Sequence, residues 1–189
     1  MNRGKLIIFA APSGSGKTSI VKFLLTRKLP LKFSVSATTR QKRANEVEGV
    51  DYFFLTEKQF QEKIDTNAFL EWEEVYAGAY YGSLKDEVDK QLEKGEHILF
   101  DVDVLGALNI KKIYAEQALA IFVKAPSIED LVRRLKNRGT ETDESMKRRI
   151  DKANYELSFE PNFDITIINN DLGQAQRDAL QVVMNFISL

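Results

Sequence analysis

The sequence predicts an α/β fold built on a parallel sheet, and three observations carry that prediction. Short, continuously apolar runs recur along the chain, stretches with helical spacing separate them, and a Gly-rich turn joins the first run to the first helix. Parallel strands buried on both faces read as unbroken apolar runs and need helical crossovers between them.

The elements follow in order. "KLIIFA" (5–10) is the first strand: its apolar stretch is short and runs straight into the Gly-rich turn, which is not the form of a signal peptide. Over 18–28 the spacing predicts a helix with Ile20, Val21, Leu24 and Leu25 on one face. "HILFDV" (97–102), "LAIFVKA" (119–125) and "DITIIN" (164–169) are further strands. Helical patterns separate them, carried by Leu84/Val88/Leu92, by Leu105/Leu108/Lys112 and by Ile128/Leu131/Val132/Leu135. The last element, 173–188, is a helix expected to turn Leu180, Val183, Met184 and Ile187 inward.

Two sections break the rhythm. Over 33–83, "FSVSATT", "DYFFLT" and "AFLEWEEV" read as strands outside the main alternation, and "TEKQF" opens a helix with Thr56 and Gln59 as a capping box. This aromatic and polar section reads as a small inserted substrate-binding region. Residues 126–160 form a second insertion, helical and rich in Arg, with a Gly-Thr break at 139–140.

With 189 residues and 43% hydrophobic composition, the chain suits one globular domain with a sizeable core. Its 27 Lys+Arg nearly balance 28 Asp+Glu, so the overall charge argues for neither nucleic acid nor a membrane surface as partner. The absence of Cys excludes a disulfide framework and Cys metal sites and suits a reducing cytoplasm, the expected location. No apolar run approaches the length of a bilayer span.

The Gly-rich turn is Ala11, Pro12, Ser13, Gly14, Ser15, Gly16, Lys17, Thr18. It has the form of a phosphate-binding loop, in which backbone N–H groups cradle phosphates, Lys reaches the β/γ oxygens and the hydroxyl binds Mg²⁺. The helix that follows points its positive end at the anion. The motif opens with Gly, and here that position is Ala11. Because a residue before Pro is driven to extended backbone with negative φ, Ala11 can adopt the conformation required. Gly14 and Gly16 remain where the loop must turn. The partner carboxylate for Mg²⁺ is expected to be Asp101, at the end of "HILFD".

A second anion site is expected in "SATTRQKR". Arg40 and Arg43 stand close together on a polar stretch, and forked guanidinium donors suit a phosphate. The hydroxyls of Tyr52 and Tyr81 can complete that shell. In the Arg-rich insertion, 100° per residue puts Arg134 and Arg138 along one edge of the apolar stripe, able to lean into a cleft, while Arg133 points away. Arg148 is expected to be exposed.

Taken together, "FSVSATTR…R", "DYFF", "FLEW", "YYGS", "DVDVLG", "RLKNRGTET" and "NND" resemble the guanylate kinase family in order and spacing, over essentially the whole chain. The resemblance implies an α/β P-loop kinase: a parallel-sheet core (1–32, 84–125, 161–189), a small mixed β insertion binding GMP (33–83) and a helical lid (126–160). It implies phosphoryl transfer from Mg·ATP to GMP, with dGMP a further expected acceptor, and no obligate protein partner. The GMP phosphate would be held by Arg40, Arg43, Tyr52 and Tyr81, and guanine read by Ser36, Glu71, Ser83 and Asp103. The chemistry agrees, since guanine N1–H and N2–H₂ are adjacent donors that one carboxylate accepts, and O6 and N7 are acceptors. The resemblance further assigns Lys17, Arg134, Arg138 and Arg149 to the transferring phosphates and Asn169 to the bound ATP. Ala11 departs from the family pattern, as does Leu105, where a polar Gln is common. Members of the family also occur as non-catalytic scaffolds, but the intact Gly16-Lys17-Thr18 and the lid arginines favour an enzyme.

Overall fold

The computed structural model describes residues 3–136 and 143–188. Five parallel strands form the main sheet: β1 (Leu6–Ala10), β2 (Leu31–Phe33), β7 (His97–Asp101), β8 (Ala118–Lys124) and β9 (Ile165–Ile168), in the order β2-β7-β1-β8-β9. β1 lies at the centre, and all five of its side chains are buried. Alternate residues go to opposite faces, as strand geometry requires. Leu6, Ile8, Ile98, Phe100 and Phe122 meet one helical layer, α3 (Lys85–Glu93) and α4 (Val104–Tyr114). Ile7, Phe9, Leu99, Ile121 and Val123 meet the other, α1 (Lys17–Leu25) and α7 (Leu172–Ser188). This two-sided cover explains why the strands are apolar without alternation.

The second sheet is small and mixed: β3 (Ala37–Thr38), β4 (Phe53–Phe54), β5 (Phe69–Tyr76) and β6 (Ala79–Leu84), ordered β4-β3-β6-β5. Only the β3–β4 pair is parallel. Its own apolar cluster centres on Phe60 of α2 (Glu57–Asp65), which stacks on Phe69 with ring centroids 4.4 Å apart. The predicted capping box opens α2: the Thr56 hydroxyl accepts from the Gln59 N–H, and the Gln59 side chain accepts from the Thr56 N–H. In the Arg-rich section, helices α5 (Ile128–Lys136) and α6 (Asp143–Leu157) pack on each other through Leu131, Leu135, Met146 and Ala153.

Four expectations are corrected. "FSVSATT" is not one strand: Phe33 ends β2 in the main sheet, Ser34 N–H still donates to Leu99 O at 2.9 Å, and pairing in the small sheet starts only at Ala37. The run crosses from one sheet to the other, so its continuous β character hides a change of partner. Leu25 and Met184 are exposed, because their helices bury narrower stripes, Ile20/Val21/Leu24 and Ala175/Ala179/Val183. Leu105 is also exposed, since α4 turns Val104, Ala107 and Ile110 inward instead. No described helix is long and apolar enough to cross a membrane.

Candidate active site

In a parallel α/β sheet, ligands bind beyond the carboxyl ends of the strands, where successive connections leave in opposite directions. β1 is at such a point, between β7 and β8, and the Gly-rich loop leaves its carboxyl end. A cleft of about 550 Å³ opens there. One wall is the loop itself with Asp101 and Val102, another is the small sheet, and the third is the α6 face that carries Arg149.

The loop turns through two left-handed glycines, Gly14 (φ 91°) and Gly16 (φ 94°), the latter capping α1. Ala11 is not among the described residues with positive φ, as its place before Pro12 requires. A Cβ on Gly16 would come within 2.2 Å of Asn169 Nδ2. Asn169 therefore stands directly behind the loop. It is buried, and its Nδ2 donates to Ser15 O at 2.8 Å while its own carbonyl accepts from Arg134 Nη2 at 2.7 Å. Neither Asn169 nor Arg134 lines the cleft; they brace the loop from outside. Ser15 is likewise buried, and its N–H donates within the loop to Pro12 O at 3.2 Å. Lys17 and Thr18 begin α1 and line the cleft, so the positive end of the helix stands at the cleft, where an anion is favoured. Lys17 Nζ donates to Val102 O at 2.6 Å and pairs with Asp101 Oδ1 at 2.5 Å, which fixes the ammonium at the mouth of the loop.

On the opposite wall, pairing of β5 with β6 sets Glu71 across from Ser83. Ser83 is buried, and its hydroxyl donates to Glu71 Oε1 at 2.6 Å. Burial pushes the Glu71 carboxyl up to about 7, with the charges of Asp103 and Glu73 acting the same way and the Ser83 hydrogen bond opposing them. Asp103 caps α4 by accepting from Gly106 N–H at 2.7 Å. Gly106 lets α4 approach β5 this closely, because a Cβ there would lie 2.7 Å from Asp103 Oδ1 and 3.1 Å from Glu71 Cβ. Ser36, Tyr52 and Tyr81 line the same wall, the two tyrosine rings meeting at 68° with centroids 6.0 Å apart.

Arg40 lies with its guanidinium 5.2 Å from the centre of the Tyr52 ring. Its fork is held by Glu46, at 2.7 and 3.0 Å, and Glu46 also accepts from the Arg43 N–H at 2.8 Å. The Arg40 hydrogen bond, then that of Arg43, hold the Glu46 carboxyl down at about 2. The Arg40 and Arg43 side chains are thus not part of the cleft lining, although the loop that carries them is tied in one geometry. On α5, Arg133 is exposed and pairs with Asp130, as its position on the helix predicts. Arg148 is exposed as well. Arg138 lies outside the described residues. Among the lining residues that escaped the sequence reading are three charged ones on facing walls: Glu73 on β5, and Lys152 and Glu156 on α6. The last two follow Arg149 by three and seven positions, a helical spacing that marks them once Arg149 is known to face the cleft.

Comparison with known proteins decides the family. The model of the family described as guanylate kinase matches residues 3–185. The chain belongs to the guanylate kinase family. It is therefore a nucleoside monophosphate kinase, an ATP:GMP phosphotransferase. It is 55% identical over 185 residues to the guanylate kinase of Bacteroides thetaiotaomicron, covering 98% of this chain and 91% of that protein. It is 46% identical to the guanylate kinase of Porphyromonas gingivalis, covering 97% of this chain and 98% of that one. The fold matches the crystal structure of a guanylate kinase from Anaplasma phagocytophilum with a TM-score of 0.70 at 24% identity, covering 99% of this chain and 88% of that chain.

Proposed function

We propose that the guanylate kinase reaction runs in this cleft, with ATP phosphates in the Gly-rich loop and GMP against the small sheet. The observation that carries the reading is Glu71, a half-buried carboxylate held by Ser83 beside Asp103 and facing the Lys17 loop across one cleft. Guanine offers two adjacent donors to such a carboxylate. Adenine offers an N1 lone pair instead and no 2-amino group, so the wrong base meets repulsion.

A GMP phosphate oxygen attacks the γ-phosphorus of ATP. The new O–P bond forms as the bond to the β-phosphate oxygen breaks, leaving GDP and ADP. The attacking phosphate is already largely ionised near neutral pH, so no strong general base is needed. Catalysis is positioning and charge neutralisation. Lys17 and Arg149 gather the charge of the transferring group, Arg134 and Asn169 keep the loop in shape, and Tyr52 and Tyr81 orient the acceptor phosphate, to which Arg40 and Arg43 are assigned on the family resemblance. Arg138 is assigned to the same set as Arg149 on the family resemblance. The Thr18 hydroxyl and the Asp101 carboxylate are hard oxygen donors facing the cleft together, which suits Mg²⁺ held with substrate phosphates. When bound, the ion neutralises charge on the phosphates.

A coupled assay of ATP consumption with GMP, dGMP, AMP, CMP and UMP tests the reading, with and without EDTA. Strong preference for the guanine nucleotides and loss of turnover with EDTA are expected. Equal use of AMP would refute the assignment of Glu71. A cytoplasmic location and action on free nucleotides, without nucleic acid or membrane, follow from the same reading.

A further inference from the structure

Lys152 has no part in the roles assigned so far, yet it occupies a singular place. It lies on α6, three residues after Arg149, and lines the cleft with it. Its Nζ is 3.7 Å from Glu73 Oε1 on β5, and 3.9 Å from Glu156 Oε1 one turn further along α6. Glu73 belongs to the small sheet and Glu156 to the lid, so one ammonium spans two parts of the molecule. Most apolar contacts of α6 are made with α5, where Met146, Ile150 and Ala153 meet Leu131 and Leu135, and its last residue, Leu157, packs on the core cluster of the main sheet. That cluster holds the lid together but does not attach it to the small sheet. Glu156 is nearly buried in the cleft wall and supplies a fixed negative partner for Lys152. Burial pushes the Glu156 carboxyl up, and the charge of Lys152 opposes that shift.

We infer that Lys152 is a positioning residue: by pairing with Glu73 across the cleft while Glu156 holds it, it ties α6 to β5 and sets how closely Arg149 approaches the transferring phosphoryl group. This rests on the reading that GMP lies against the small sheet and that Arg149 meets the transferring phosphoryl group. Both Lys152 and Glu73 are substantially exposed, so the tie is a tuning interaction, screened by salt.

The test is steady-state kinetics of the full chain carrying Lys152→Met, Glu73→Gln or both, at low and high salt, with thermal melting alongside. Each single change should lower kcat/KM for GMP about two- to fivefold at low salt, the range of exposed ion pairs. The KM for ATP and the melting temperature should not move, and the loss should shrink at high salt. Adding Glu73→Gln to Lys152→Met should cost nothing more. Lys152→Glu should lose more, and Glu73→Lys in the same chain should restore most of it. A loss with Lys152→Met but none with Glu73→Gln overturns the inference, because Lys152 would then meet the nucleotide directly. So would independent, additive losses, or full activity in both singles. Arg149→Ala, measured in parallel, tests the underlying reading by itself: a silent Arg149→Ala removes that role whatever the Lys152–Glu73 pair does.

Discussion

Glu71, proposed above to read guanine, is held in the fold at a cost to the folded state. Its carboxyl is pushed up from 4.5 to about 7, by burial first and then by Asp103 and Glu73. Below about pH 4.5 it is protonated both folded and unfolded, and contributes nothing to pH dependence. Between there and 7 the unfolded chain gives up its proton first, so stability falls as pH rises, and above 7 the loss is complete. Glu71→Gln should therefore melt several degrees above the parent at pH 8 and like the parent at pH 4.5, as scanning calorimetry would register. A higher melting temperature at pH 4.5 alone would contradict this sign. The same change leaves one acceptor and adds a donor where guanine brings two donors. A hydrogen bond to a charged group is worth about 1.5–3 kcal/mol, so kcat/KM for GMP should drop by about one to two orders of magnitude with the ATP KM little changed. The preference for GMP over AMP should narrow, without AMP becoming a good substrate. Ala11 makes the opposite point. It lacks the positive φ that would demand glycine, so Ala11→Gly should leave ATP affinity and turnover near the parent values. A large gain in ATP affinity would show that the methyl group crowds the loop.

At the level of elements, α5 separates two neighbouring arginines. Arg134 reaches Asn169 O, and Asn169 in turn holds Ser15 O, so the helix is linked to the loop by two hydrogen bonds in series. Arg133, one position earlier, points to solvent and pairs with Asp130 on its own helix. Arg134→Ala should lower turnover by roughly tenfold or more, since losing a charged hydrogen bond that positions the loop costs about 1.5–3 kcal/mol. Arg133→Ala should remain within about twofold, as removal of an exposed ion pair does. Steady-state kinetics with folding checked by circular dichroism distinguishes them, and equal losses would sink the assignment. Periodicity could place these residues on different sides of a helix. It could not say what lay opposite, and the partner of Arg134 proved to be the back of the phosphate loop.

At the scale of the molecule, each sheet has its own apolar cluster. Phe122 is buried in the main sheet, with Phe163 edge-on at 5.1 Å, whereas Phe60 anchors the small sheet against Phe69 and Tyr80. Truncating a buried Phe typically costs about 3–5 kcal/mol. Phe122→Ala should thus lower hydrogen-exchange protection across the whole sheet. Phe60→Ala should lower it mainly in β3–β6, raise the KM for GMP and leave that for ATP nearly unchanged. Uniform loss of protection in both variants would mean that the two clusters unfold as one unit.

The strands β1, β7, β8 and β9, the phosphate loop and the capping box of α2 were legible in the residues. Each depends on neighbours close in the chain: an unbroken apolar run, a Gly-Lys-Thr at the start of a helix, a hydroxyl three residues before an amide. The residues proposed to read guanine rest on family resemblance, since no local rule marks Glu71 out among Glu71, Glu73 and Glu74. What remained hidden depends on which surfaces the chain brings together. The partition of 33–39 between two sheets, the exposure of Leu25, Leu105 and Met184, the placement of Asn169 behind the loop and the convergence of Lys152, Glu73 and Glu156 all join positions far apart in sequence. A local pattern states that a side chain is apolar or charged and on which side of its element it lies. Only the packing of element on element determines whether that side meets a core, a solvent-filled cleft or a charge of opposite sign.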